Sequence, residues 1–235
     1  MEKKAKKVFS GLSLRLILIL LIGTVAQMVT IAAVSLLPGG ERWMTESSLG
    51  ILIVSLLPLD LVAFPLGILS MKKFPVFKGE EKALGIKEFI SYAIIGFPIM
   101  YLGNIIGTLL SGFVSGGQAV NGITELLGGN ILIEVLFLVI IGPFFEELIF
   151  RKLLIDKTVG YGEKAAVFFS ALTFGMFHGN FFQFFYSFGL GLLLAYIYVK
   201  TRKLLHVFGI HAIFNFVGGI IPSVLMSALG EEAMQ

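Results

Sequence analysis

Residues 129–157 read GNILIEVLFLVIIGPFFEELIFRKLLIDK. From Ile131 to Phe145 the run is apolar except for Glu134; then Glu146, Glu147 and Arg151 arrive before apolar residues resume at Leu153. A helical bilayer crossing takes about 20 mainly apolar residues, so this stretch reads as a membrane helix with charge inside it. Outward from it lie six more apolar segments, at roughly 14–37, 49–71, 89–114, 163–179, 181–199 and 204–228. The first follows a basic stretch, but its apolar run exceeds the roughly 7–15 residues of a cleaved signal. Seven crossings place every one of the 18 Lys and Arg except Arg42 on one side. Those are Lys3, Lys4, Lys6, Lys7 and Arg15; Lys72, Lys73, Lys78, Lys82 and Lys87; Arg151, Lys152, Lys157 and Lys164; and Lys200, Arg202 and Lys203. A wrong count would scramble this asymmetry. The expectation is an all-α, polytopic membrane bundle of about seven helices with a cytoplasmic N-terminus and Gln235 outside.

Composition agrees. Of 235 residues 57% are hydrophobic and 14% charged, against about 45–50% and 25% in soluble domains. A large soluble catalytic domain is excluded. The absence of cysteine excludes a disulfide scaffold, a thiol nucleophile and a Cys-ligated metal. The net charge of +3 belongs to lipid-facing loops, so the expected partner is membrane lipid and not nucleic acid. No repeat or linker divides the chain, which reads as one membrane domain, 1–235, with its motifs in 129–228.

Polar groups inside hydrocarbon are the functional candidates: Asp60, Asn104, Glu134, Glu146, Glu147, His178, His206, His211 and Asn215. Glu147 and Arg151 are four apart and share a helix face. Glu146 is rotated by about 100° and can point elsewhere. One carboxylate can be held ionised by arginine while its neighbour stays tunable, an arrangement suited to general base chemistry. His211 and Asn215 also share a face. Asp60, after Pro58, reads as a partner for broken backbone, Glu134 as close to the outer interface, and His206 as interfacial. Counted from the basic loops, Glu146, His178 and His211 lie about 16, 22 and 12 Å deep at 1.5 Å per residue. Helix tilt and a kink at Gly142-Pro143 can bring Glu146, His178, His211 and Asn215 into one cavity.

Glu146-Glu147-x-x-x-Arg151, Phe174-x-x-x-His178 and His211-x-x-x-Asn215, in this order on successive helices, resemble the three motifs of the CPBP family. That family comprises type II CAAX prenyl endopeptidases and bacteriocin-processing or immunity proteins, and is also called the Abi family. The resemblance implies an intramembrane glutamate-dependent endopeptidase acting on a membrane-associated peptide or protein. By that analogy Glu146 activates water, His178 binds or polarises it, His211 with Asn215 stabilises the oxyanion, and Glu147, Arg151 and Phe174 support them. The short basic N-terminus and compact loops look bacterial, which implies a multi-pass cell-membrane protein processing bacteriocins or signal peptides, or conferring immunity.

Other classes make different demands. A non-catalytic immunity or scaffold protein uses the motif residues only to hold the bundle. A transporter requires a path through Asp60, Asn104 and Glu134. The hydrolase is expected to work without a metal cofactor. The alternative is zinc on Glu146, His178 and His211 with water as fourth ligand, but the chain has no His-Glu-x-x-His on one helix, and Asn215 suits an oxyanion better than zinc.

Overall fold

The computed structural model describes residues 2–122, 126–127 and 129–233; Gln235, expected outside, lies beyond them. Among the described residues the regular structure is helical. Helix α1 is Glu2–Ser35, α2 the short Gly40–Glu46, α3 Ser48–Met71, α4 Ile86–Ser115, and α5 covers 131–158. Then come α6 Glu163–Phe177, α7 Phe181–Thr201 and α8, which starts at Leu204 and carries an apolar run to Leu229. Apart from α2, these rods coincide with the seven apolar segments, and α1 starts well before residue 14.

Five of them, α1, α3, α4, α7 and α8, are long and apolar enough to cross a membrane. The other two differ for physical reasons. The 15 residues of α6 extend only about 22 Å, short of a hydrocarbon core of about 30 Å. Charge interrupts α5, and two π-helical stretches, Val135–Ile141 and Glu147–Leu153, break its α-helical winding.

The molecule is inverted relative to a soluble protein. Large apolar side chains such as Leu21, Met28, Leu102, Leu109 and Phe113 are exposed, while Asp60, Glu134, Glu147 and Arg151 are buried. That distribution suits a lipid surround, where apolar surface costs nothing and charge must be enclosed.

Two apolar clusters sandwich α5. One joins Leu12, Leu16 and Ile19 of α1 to Phe64 of α3, Ile149, Phe150 and Leu154 of α5, and Phe174 of α6. The other joins Leu190, Leu194 and Tyr198 of α7 to Ile155 of α5 and Ile210 and Phe214 of α8. The charged centre of α5 sits at the seam.

The basic stretches gather at one end of the bundle. Phe9 of α1 packs on Tyr161, with ring centroids 6.4 Å apart. Residues 75–85 lack regular structure and run across this end as a strap. The Phe77 amide donates to the Asp156 carbonyl at 2.6 Å, and the Lys82 amide to Thr201 at 2.8 Å. Asp156 Oδ1 accepts from both Arg202 Nη1 and Tyr198 Oη at 3.1 Å. His206, in the first turns of α8, accepts from the Leu84 amide at 3.5 Å.

Candidate active site

Glu147 is the centre of the buried polar cluster. Its Oε1 accepts from His211 Nδ1 at 2.9 Å. Its Oε2 lies 3.0 Å from Arg151 Nε, with both side chains fully enclosed. That second contact is off-line for a hydrogen bond and acts through charge. Arg151 Nη1 donates to Ser170 Oγ at 3.2 Å, and Ser170 donates to the Phe150 carbonyl at 2.7 Å. The guanidinium lies 4.4 Å from the centroid of the Phe174 ring, a cation–π contact. Phe174 also meets His178 and His211 edge-on, at 5.0 and 5.8 Å. The sequence pairing of Glu147 with Arg151 is therefore present, and Phe174 is the shared wall of the site.

Glu146 points differently, as the rotation between adjacent helical residues requires. Its side chain is 24% exposed, and its Oε2 lies 3.6 Å from His211 Nε2. His178 is tied down by Nδ1, which donates to the Phe174 carbonyl one turn earlier at 2.9 Å. Its Nε2 faces Ser187 Oγ at 3.3 Å. Each imidazole thus has its Nδ1 proton engaged and, when neutral, presents Nε2 as a lone pair.

Asn215 does not stand free beside His211. Its Nδ2 donates to the Leu138 carbonyl at 2.8 Å. The backbone explains why. In the π-helical stretch the Gly142 amide reaches back to Phe137, skipping Leu138, and the next residue, Pro143, has no N–H to offer. The Leu138 carbonyl is left without a helical donor, and Asn215 fills the vacancy. The kink expected at Gly142-Pro143 thus takes the form of a widened turn that recruits a side chain from α8.

The structure brings Glu146, Glu147, Arg151, Phe174, His178 and His211 into one cluster, with Asn215 one turn from His211. Asp60 also reaches it. It is buried on the π-helical stretch Pro58–Ala63 of α3, within electrostatic reach of Glu146. The ring of Phe64, on the same stretch of chain, stacks on Phe177 and meets Phe145 at 5.7 and 5.9 Å. Glu134 is remote and caps the chain entering α5, accepting from the Gly129 amide at 2.6 Å. Sequence reasoning missed Ser170 and Ser187, since a lone hydroxyl on an apolar helix carries no pattern. Among the described residues no group of three or more His, Cys, Asp or Glu is arranged to hold a metal ion.

Comparison with known proteins gives an independent finding. Residues 128–217 match the family model of the type II CAAX prenyl endopeptidase Rce1-like proteins. A membrane-embedded CAAX protease, MroQ, of Staphylococcus aureus (strain USA300) is 28% identical over 159 residues, 63% of this chain and 62% of that protein. The matched region thus spans less than two thirds of this relative. No solved structure matches the chain.

Proposed function

The chain is a multi-pass membrane protein resembling the CPBP-family CAAX proteases over residues 128–217, and from that premise we propose that it is an intramembrane endopeptidase with Glu146 as general base. The observation that carries this is the division of labour between the two carboxylates. Glu147 is enclosed and engaged, while Glu146 is partly open and faces a lone-pair nitrogen at 3.6 Å. A water contacting both Glu146 Oε2 and His211 Nε2 at about 2.8 Å sits at the apex of that gap. Glu146 takes one of its protons as the oxygen attacks the scissile carbonyl, and later returns it to the leaving amine. Glu147 holds the His211 tautomer so that His211 Nε2 accepts the second water hydrogen, Arg151 holds Glu147, and His178 lines the site with its Nε2 on Ser187 Oγ.

The chemistry needs no metal. Seven crossings, a cytoplasmic N-terminus, and bacterial peptide maturation or immunity complete the proposal; the substrate is a membrane-associated peptide or protein. The test compares membrane peptides of cells carrying the wild-type protein with cells carrying Glu146→Ala. A peptide that accumulates uncut only in the variant is expected; identical peptide sets contradict the proposal. For the metal, purified protein is stripped with a strong chelator and its metal content checked. Full cleavage should persist. Loss that returns with stoichiometric zinc would make Glu146, His178 and His211 ligands after all.

A further inference from the structure

Hydrolysis consumes one water for every bond cut, and a site enclosed by apolar helices must be supplied with it. Toward the end that holds the basic loops the way is closed. Ile155 of α5, Leu194 and Ile197 of α7, and Val207 and Ile210 of α8 are fully buried in one apolar cluster. Leu12 of α1 and Phe150 and Leu154 of α5 close the other side. Water finds no polar partner in such packing.

The opposite end differs, and the difference lies in the first turns of α7. There Asn180, Gln183, Tyr186 and Ser187 interrupt a run of phenylalanines. Spacings of three and four put the last three on one helix face. Asn180 caps the helix directly before them, its Oδ1 accepting the Gln183 amide at 2.9 Å. Beyond Ser187 the helix is apolar from Phe188 to Ala195. The polar stripe is thus about 10 Å long at 1.5 Å per residue, and it stops where it meets the site.

Its groups are joined end to end. Asn180 Nδ2 donates to Gln183 Oε1 at 2.7 Å, and Gln183 Nε2 donates to Tyr186 Oη at 3.0 Å. At the inner end the Ser187 hydroxyl faces His178 Nε2 at 3.3 Å. His178 in turn shares the Phe174 wall with His211. At the outer end lies a cavity of about 280 Å³ lined by Ser111 and Ser115 of α4 with Val120, Asn180, Phe181 and Phe182. A water takes about 30 Å³ of liquid, so the cavity holds several.

The outer bonds of the stripe do not hold helices together. Polar side chains that join membrane helices bond across an interface, whereas Asn180–Gln183 and Gln183–Tyr186 bond along one segment. Glycine brings α4 onto α7 instead. An added Cβ on Gly103 would lie 2.5 Å from the Tyr186 N and Cα, and one on Gly107 would meet the Phe181 carbonyl. A polar face that joins nothing suits a surface wetted by water.

We propose that this face of α7 is the water inlet of the site. Water enters through the cavity between α4 and α7, follows Asn180, Gln183 and Tyr186, and passes Ser187 into the space beside His178, His211 and Glu146. The need for that water rests on the peptidase reading above; the route is a property of the bundle and is tested without it.

The chain has no cysteine, so single introduced thiols report the route. A methanethiosulfonate reagent attacks thiolate and so reacts where water reaches, and a charged one stays on the side to which it is added. Intact cells and inverted membrane vesicles offer the two sides in turn. Gln183→Cys and Ser187→Cys should react from the same side as Gln118→Cys, in the loop after α4, and not from the side of Lys78→Cys in the strap. Phe185→Cys and Leu192→Cys, on the opposite face of α7, should stay unreacted. Thiols at 183 and 187 that react no faster than those two overturn the inlet, as does reaction only from the Lys78→Cys side. Should Ser187→Cys fail to accumulate, Gln183→Cys decides alone. Purified Gln183→Cys protein carrying a bulky thiol label should lose cleavage of the Glu146-dependent peptide relative to the same protein unlabelled; undiminished cleavage also overturns the inlet. If the thiols react as expected and no peptide depends on Glu146, the peptidase reading falls and the wetted route stands.

Discussion

Glu147 serves two partners at once, a cation on Oε2 and an imidazole N–H on Oε1. A buried charge of this kind is tolerable only while its partners stay. Arg151→Met leaves the Glu147 carboxylate uncompensated and is expected to cost about 3–5 kcal/mol, read as a lower unfolding midpoint in detergent. Arg151→Lys keeps the charge but not the planar fork that spans Glu147 and Ser170 or the flat face against Phe174. Its cleavage rate should fall markedly with a smaller loss of stability, and wild-type turnover would show the fork to be incidental. The Glu147–Arg151 pairing was legible in the sequence because it is local, four residues on one helix. The His211–Glu147 bond was not, because it joins residues 64 positions apart and depends on how α5 and α8 cross.

At the scale of elements, the π-helical stretches shape the site. They occur at Pro58–Ala63, Val135–Ile141, Glu147–Leu153 and Phe216–Ile220, carrying or adjoining Asp60, Leu138, Glu147, Arg151 and Asn215. Widened turns of this kind cluster at functional sites because they release carbonyls and re-aim side chains. Composition does not announce them, so the sequence showed a kink at Gly142-Pro143 but not the carbonyl that Asn215 would serve. Asn215→Leu strands that carbonyl and should destabilise the protein by about 1–3 kcal/mol, measured by unfolding; unchanged stability would mean that Asn215 serves the reaction alone. Glycine gives a second contrast on α4. Gly103 abuts the Tyr186 backbone, whereas an added Cβ at Gly112 meets nothing within 4 Å. Gly103→Val should separate α4 from α7 and lose both stability and activity. Gly112→Ala should be neutral or stabilising by up to about 1 kcal/mol.

Across the whole molecule, charge distribution and packing point the same way. The N-terminal turns of α1, the strap 75–85, the end of α5 and the α7–α8 turn meet at one end, and they hold most of the lysines and arginines. A reporter inserted after Lys78, Lys157 or Arg202 should report the cytoplasm, and one near Gly117 the exterior; a cytoplasmic signal at Gly117 would overturn this topology. The helices were legible because lipid demands long apolar runs with satisfied backbone. The strap was not, because its order comes from Asp156 and Thr201 on distant helices and Arg202 in the α7–α8 turn.

The most direct measurement is cleavage of a Glu146-dependent membrane peptide by purified wild-type and Glu146→Gln protein in the same vesicles. Glutamine keeps the shape and loses the basicity. With Glu146 as general base, the variant should fold with the wild-type unfolding midpoint and cleave slower by about 10²–10⁴-fold or more. A folded Glu146→Gln protein that cleaves at the wild-type rate would contradict it.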